Sequence, residues 1–150
     1  MAANSISTSD LKLIIKQNPA AEDQIAELRR KRSQIKQGGG QQRIDKHHAA
    51  GKLTARERVE ELADRGSFQE IGLFAKHRAT YFGMADKDLP ADGVITGCAT
   101  VDGRLIHLAS QDFTVAGGAA GEVHCDKITK LRLSPSSFWE WRRSSVISVT

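Results

Sequence analysis

The sequence predicts a mixed α/β (α+β) fold, with N-terminal helices followed by a β-hairpin and the start of a core helix. Three observations carry that reading. Thr54-Ala55-Arg56-Glu57 has the spacing of a capping box, in which the Thr hydroxyl and the Glu carboxylate each satisfy a backbone N–H at a helix start. Asp102-Gly103 separates two apolar runs, 94–101 and 104–109, and Asp-Gly between such runs marks a two-residue hairpin. Gly117-Gly118 and Gly121 precede Val123, Ile128 and Leu131, whose spacing suits one face of a helix.

Taken in chain order, Leu11-Lys12-Leu13-Ile14-Ile15 is a short apolar cluster in a polar start, and Pro19 suits a helix beginning. Ile25, Leu28, Arg32 and Ile35 recur at helical spacing, which predicts a helix over 21–37. Gly38-Gly39-Gly40 ends it and reads as a linker, because glycine has the largest backbone entropy to lose in a helix. The run lacks the frame of a phosphate loop. The capping box starts a helix over 55–64, with Val59, Leu62 and Ala63 as its apolar face and Gly66 as its stop. Residues 68–73 suit a short strand. Gly97 inside the first hairpin strand marks a bulge or a close backbone approach. After Pro135 no helical period survives, and Trp139 and Trp141 beside Arg142-Arg143 fall in an unpatterned tail.

Composition narrows the class. Leu, Ile, Val and Phe make up about 23% of the 150 residues, only just above the range in which a chain cannot bury enough apolar surface to fold. No apolar run is long enough to cross a membrane, and the polar N-terminus lacks the core of a secretory signal. Cys98 and Cys125 read as reduced thiols, which points to a cytoplasmic protein. Residues 1–60 carry 12 Lys and Arg against 7 Asp and Glu, and residues 61–150 carry 10 against 11. The basic peak, Arg29-Arg30-Lys31-Arg32, reads as a solvated helix face. No aromatic residue precedes Phe68, so the stacking surfaces of a nucleic-acid binder are missing there.

Three segments are more specific together than singly: Gly51-Lys52-Leu53-Thr54-Ala55-Arg56-Glu57-Arg58-Val59; Asp92-Gly93-Val94-Ile95-Thr96-Gly97 with Val101-Asp102-Gly103-Arg104; and Ser110-Gln111-Asp112-Phe113-Thr114 with Gly117-Gly118 and Gly121-Glu122-Val123-His124. In this order they closely resemble the N-terminal part of the carboxyltransferase (beta) subunit of biotin-dependent acyl-CoA carboxylases, of the propionyl-CoA carboxylase type. Lys76-His77-Arg78-Ala79-Thr80 is similar to that family too, and the resemblance covers roughly 29–128.

It implies an incomplete crotonase-like fold and a family reaction in which a carboxyl group moves between carboxybiotin and the α-carbon of an acyl-CoA. It also implies acyl-CoA as ligand with no covalently bound cofactor. The partners it implies are a biotin carboxyl carrier or biotin carboxylase subunit and a homo-oligomer, with no membrane and no nucleic acid. The domain expectation is a helical, basic segment over 1–50, a partial carboxyltransferase N-terminal domain over 51–130, and a disordered tail outside the family pattern over 131–150. The family's oxyanion glycines belong to a DSGGAR-like segment that this sequence does not contain. The reading is therefore an N-terminal fragment, inactive alone. The alternative is a non-catalytic module docking on full-length subunits.

No catalytic or metal residue is assigned. Candidate CoA contacts are Arg56, Lys76 and Arg78 as phosphate-binding cations. Gly117 and Gly118 join them as the opening amides of the core helix. Asp112 reads as a turn cap rather than a base, His107 as a packed strand residue, and His124-Cys125 as too isolated for zinc.

Overall fold

The computed structural model describes Ser7, residues 19–133 and residues 146–149. The apolar cluster at 11–15 and the two tryptophans of the tail lie outside the described residues. Two compact units divide the chain, 1–34 and 35–150. The first contains most of α1 (Pro19–Lys36), which opens on Pro19 as expected. Its basic run lies exposed, with Glu27 holding Arg30 at 2.8 Å and Lys31 at 3.3 Å along the helix surface.

The second unit is built on a four-stranded sheet in the order β1 (Gln69–Ile71), β2 (Val94–Val101), β3 (Arg104–Gln111), β4 (Val146–Val149). β1, β2 and β3 are antiparallel, and β4 joins β3 in parallel register. Asp102 and Gly103 take positive φ of 51° and 74°, as the tight hairpin turn requires. Asp64 then fastens the turn to the end of the preceding helix. Its carboxylate accepts the N–H of Asp102 at 3.0 Å and of Gly103 at 2.9 Å.

α3 (Ala55–Leu62) begins with the expected capping box, Glu57 N–H to Thr54 Oγ1 and Thr54 N–H to the Glu57 carboxylate. It lays Ala55 and Val59 on Ile95, Ala99, Ile106 and Leu108, with Leu62, Ala63, Phe68 and Val101 at the margin. α4 (Glu122–Leu133) covers the opposite face and buries Val123, His124, Lys127 and Leu131. With helices on both faces, β2 and β3 are buried on both sides. They therefore read as apolar runs rather than alternating patterns.

Three sequence expectations are corrected. The triglycine is not a loose linker, because α2 (Gln41–Ala49) follows at once with Gly40 as its N-cap. A Cβ on Gly39 would stand 1.8 Å from the Thr114 carbonyl oxygen, so glycine is what lets the two segments touch. The buried stripe of α4 includes Lys127 in place of Ile128. The disordered tail expected over 131–150 is corrected at both described ends, since α4 runs to Leu133 and Val146–Val149 is a strand.

Gly97 resolves in favour of close approach. A Cβ there would lie 2.3 Å from the Gln69 carbonyl oxygen and 2.5 Å from the Phe68 ring. We expect Gly97→Ala to push β1 off β2 and to destabilise the chain by about 1–3 kcal/mol, the usual cost of overpacking. Urea denaturation followed by circular dichroism measures it, and an unchanged midpoint would contradict the packing described.

Candidate phosphate-binding cleft

β1 ends at Ile71, and the chain turns at Gly72 into a loop that faces α4. Between them lies a cleft of about 250 Å³ lined by Ile71, Gly72, Ala75, Lys76 and Arg78 from the strand end and loop, Thr96 from β2, and Val123, Asp126, Lys127 and Lys130 from α4. Thr96 ties strand to strand by donating its hydroxyl to the Ile71 carbonyl at 2.8 Å. Gly72 has φ 73°, and a Cβ would meet the Lys127 stem at 3.0 Å, so the loop crosses that stem only as glycine.

Lys127 is the internal anchor. Its Nζ donates to the Ala91 carbonyl at 2.8 Å and to the Val94 carbonyl. Burial pushes its pKa from the ordinary 10.5 down to about 8, against the opposing pull of the Glu70 and Asp92 carboxylates. Asp92 accepts the His124 backbone N–H at 2.7 Å. The His124 ring places Nδ1 3.0 Å from the Asp92 carbonyl, so Nδ1 carries the proton.

The candidate residues separate. Lys76 and Arg78 stand at the mouth, both exposed. Arg78 makes one exposed pair with Glu122 at 3.1 Å, which is worth little in water. Lys76 has no ion-pair partner among the described residues. Both residues also wall an adjoining cleft of about 380 Å³, whose other lining includes the carboxylates of Asp86 and Asp88.

Arg56 lies away from this mouth. It forms a two-pronged pair with Glu70 at 2.8 and 2.9 Å and donates to the Lys36 carbonyl at 3.1 Å. Gly117 and Gly118 do not open the core helix. They form a short turn over Ala116–Gly118, four residues before α4 starts, and the Gly118 N–H donates to the Val115 carbonyl at 2.9 Å. The first turn of α4 meets an internal anion instead, the Asp92 carboxylate. Asp112 is a turn cap as read, accepting the Thr114 N–H at 2.9 Å and its hydroxyl at 2.6 Å.

Sequence reasoning missed Lys127 and Lys130. They are three apart and so share one helix face, but only the fold shows which face turns to the cleft. The four lysine and arginine residues of the cleft face one lining carboxylate, Asp126. The lining of the cleft is thus predominantly cationic. No group of three or more His, Cys, Asp or Glu suited to a metal occurs among the described residues. None of their helices is long and apolar enough to cross a membrane.

Residues 46–134 match the carboxyl transferase domain family. The chain belongs to that family. It is 52% identical over 110 residues to the methylmalonyl-CoA decarboxylase subunit alpha of Propionigenium modestum, covering 73% of this chain and 21% of that protein. It is 50% identical over 109 residues to the propionyl-CoA carboxylase beta chain of Cereibacter sphaeroides, again covering 73% and 21%. A solved transcarboxylase 12S hexamer with methylmalonyl-coenzyme A and methylmalonic acid bound aligns with a TM-score of 0.73 at 49% identity, over 75% of this chain and 22% of that one. The chain spans about a fifth of the length of the curated relatives it matches. The geranyl-CoA carboxylase beta subunit, at 19% identity and a TM-score of 0.64, shares the fold. The second unit of this family member is accordingly a partial crotonase-like fold.

Lys127 makes stability depend on pH in a defined direction. The native state releases this proton near pH 8, while the unfolded chain keeps it to about 10.5. Between those values the unfolded chain binds more protons, so stability rises with pH. A neutral amine still has two N–H groups, enough for both carbonyls. We expect urea midpoints to rise between pH 8 and 10, and Lys127→Met to remove that component of the rise. Equal slopes for the two proteins would show that Lys127 titrates normally.

Proposed function

We propose that this chain forms the N-terminal part of an acyl-CoA carboxyltransferase of the propionyl-CoA and methylmalonyl-CoA kind, and that its share of the task is to hold the phosphate-bearing end of CoA. The cleft of Lys76, Arg78, Lys127 and Lys130 carries this reading. Three of its cations are exposed at the mouth and reach phosphate oxygens from two elements, the loop and α4. Arg78 exchanges a weak exposed pair for a charge-assisted, paired bond to phosphate. Lys127 stays bonded to carbonyls and adds field rather than contact.

In the reaction proposed, a carboxyl group passes between carboxybiotin on a carrier partner and the α-carbon of the acyl-CoA. The enolate formed there requires amide donors aimed at its oxygen. No base paired with a nucleophile lines the cleft among the described residues, so this region binds and orients while chemistry occurs at another part of the assembly. Assembly into a homo-oligomer in cytoplasm belongs to the same proposal. A non-catalytic docking module draws on the exposed Ile71, Phe74, Tyr81 and Phe82, and stable co-purification with a full-length subunit without CoA binding would favour it.

Titration with CoA followed by amide NMR tests the main reading. We expect a Kd of roughly millimolar, about −4 kcal/mol, with shifts in 72–78 and 123–130. Binding weakens as salt rises, because exposed charges are screened over about 8–10 Å. Arg78→Ala with Lys130→Ala weakens it about 10-fold, whereas Gly117→Ala leaves it unchanged. Affinity indifferent to salt and to the double variant would remove the cleft from the proposal.

A further inference from the structure

α1 takes no part in the core that holds the sheet together. None of its residues is among the buried apolar residues, and Leu28 is 52% exposed. Over the part of α1 in the first unit, its apolar side chains nevertheless keep one line. Ala21, Ile25 and Leu28 follow one another at spacings of four and three, and Arg32 takes the next place four residues on. This is the alternation of a and d positions in a heptad, the narrow seam along which one helix packs its side chains into another. Ala21 and Ile25 are half-buried, and Arg32 is exposed.

Charge along α1 is split. Its carboxylates, Glu22, Asp23 and Glu27, come first, and Arg29, Arg30, Lys31, Arg32 and Lys36 follow. Glu27 is already taken by Arg30 and Lys31 on the outer face. Glu22 and Arg29 flank the seam and Arg32 lies in it, and none of the three forms an ion pair with a described residue. The split selects an orientation for a partner of the same sequence. In a parallel pair, Arg32 meets Arg32 of the other copy, and like charges in a seam repel. An antiparallel pair centred between Ala26 and Glu27 removes that conflict. Ile25 then faces Leu28 of the second copy, Glu22 faces Arg29, and the small side chain of Ala21 leaves room for the Arg32 stem to reach water. Each contact occurs twice, as two-fold symmetry requires.

We propose that α1 is a self-association surface, through which two copies of this chain pair by antiparallel packing of the stripe Ala21, Ile25, Leu28 and Arg32. The proposal rests on the homo-oligomer named above and gives it a surface and an orientation; CoA does not enter it. A lipid surface matches the helix less well, because Arg32 interrupts the apolar stripe and three carboxylates crowd one half.

The test uses the 150-residue chain and sedimentation equilibrium at low salt. We expect a monomer–dimer equilibrium with Kd on the order of 0.1 mM. Leu28→Gln, at an exposed position and with similar helix propensity, weakens it about 10-fold while circular dichroism stays unchanged. Glu22→Lys and Arg29→Glu each weaken it about 3-fold, and the two together restore it. With Cys98→Ser and Cys125→Ser in place, Glu22→Cys and Arg29→Cys chains are mixed and treated with a short bismaleimide. The crossed 22–29 product is expected in excess of the 22–22 and 29–29 products. A monomer at about 1 mM would overturn the proposal. A dimer indifferent to Leu28→Gln would overturn it too, while keeping the homo-oligomer and moving it to another surface. Like-with-like cross-links in excess would contradict the antiparallel arrangement. Binding to vesicles of anionic phospholipid without any dimer would give the stripe to a lipid surface instead. The CoA titration reads residues of the second unit, so its result stands apart from all of these.

Discussion

Lys127 runs beneath the loop that follows β1 and delivers its ammonium to the carbonyls of Ala91 and Val94. Those carbonyls belong to a backbone that strongly needs holding. Ala91 and Asp92 sit consecutively in the left-handed region, at φ 52° and 49°, with Gly93 at 66° beside them. Non-glycine residues in that region cost on the order of 1–3 kcal/mol each and persist only where surrounding structure fixes them. Three contacts do so: Lys127 on the carbonyls, the His124 N–H on the Asp92 carboxylate, and the Asp112 N–H on the Gly93 carbonyl. The turn thereby sets the start of β2, the seat of α4 and the exit of β3 together. The cleft between the loop and α4 is framed by pieces that these contacts tie to one turn.

The same anchor explains how charge is distributed. A buried ammonium needs carboxylates within reach, and Glu70 and Asp92 supply them. Glu70 is itself 6% exposed and cannot stand unpaired, so Arg56 closes on it from α3 with two bonds. The inner charges thus run Arg56, Glu70, Lys127, Asp92, each neighboured by its opposite. In the α4 cleft, the cations beyond that chain, Lys76, Arg78 and Lys130, face water and are open to an outside anion. Burial and pairing, rather than charge itself, sort structural cations from binding ones.

This sorting also shows what the sequence disclosed. The capping box at Thr54 and Glu57 and the turn at Asp102-Gly103 are written in adjacent residues and depend on little else, so they were legible. Lys76 and Arg78 could be placed in an exposed cationic loop by density alone. Lys127 could not be recognised as internal, because its two acceptors lie more than thirty residues away in sequence. α2 was hidden for another reason. Its residues, QQRIDKHHA, contain little apolar pattern, none of them is buried, and three glycines precede it. What fixes α2 is Arg43 on Thr114, far along the chain, and His48 on Glu57 in the helix that follows. The four residues of β4 resemble any β-branched tail until β3 supplies a partner in register.

Arg56 and Arg58 carry the argument one step further. They are two residues apart on α3, and each helical residue turns the chain by about 100°, so their side chains leave the helix about 200° apart. Arg56 meets a carboxylate that is nearly sealed from water, and both prongs of its guanidinium are consumed. Arg58 meets a backbone carbonyl, which takes only part of its donor set and leaves its plane against Phe113. Identical side chains from one turn of helix thus have opposite availability, decided by what the sheet presents on each side. Two like side chains two residues apart thus form one structural ion pair and one guanidinium whose donors are only partly used. A substitution at Arg56 therefore acts through Glu70 and Lys127 on the fold, whereas one at Arg58 acts on the turn that holds Phe113 in the open.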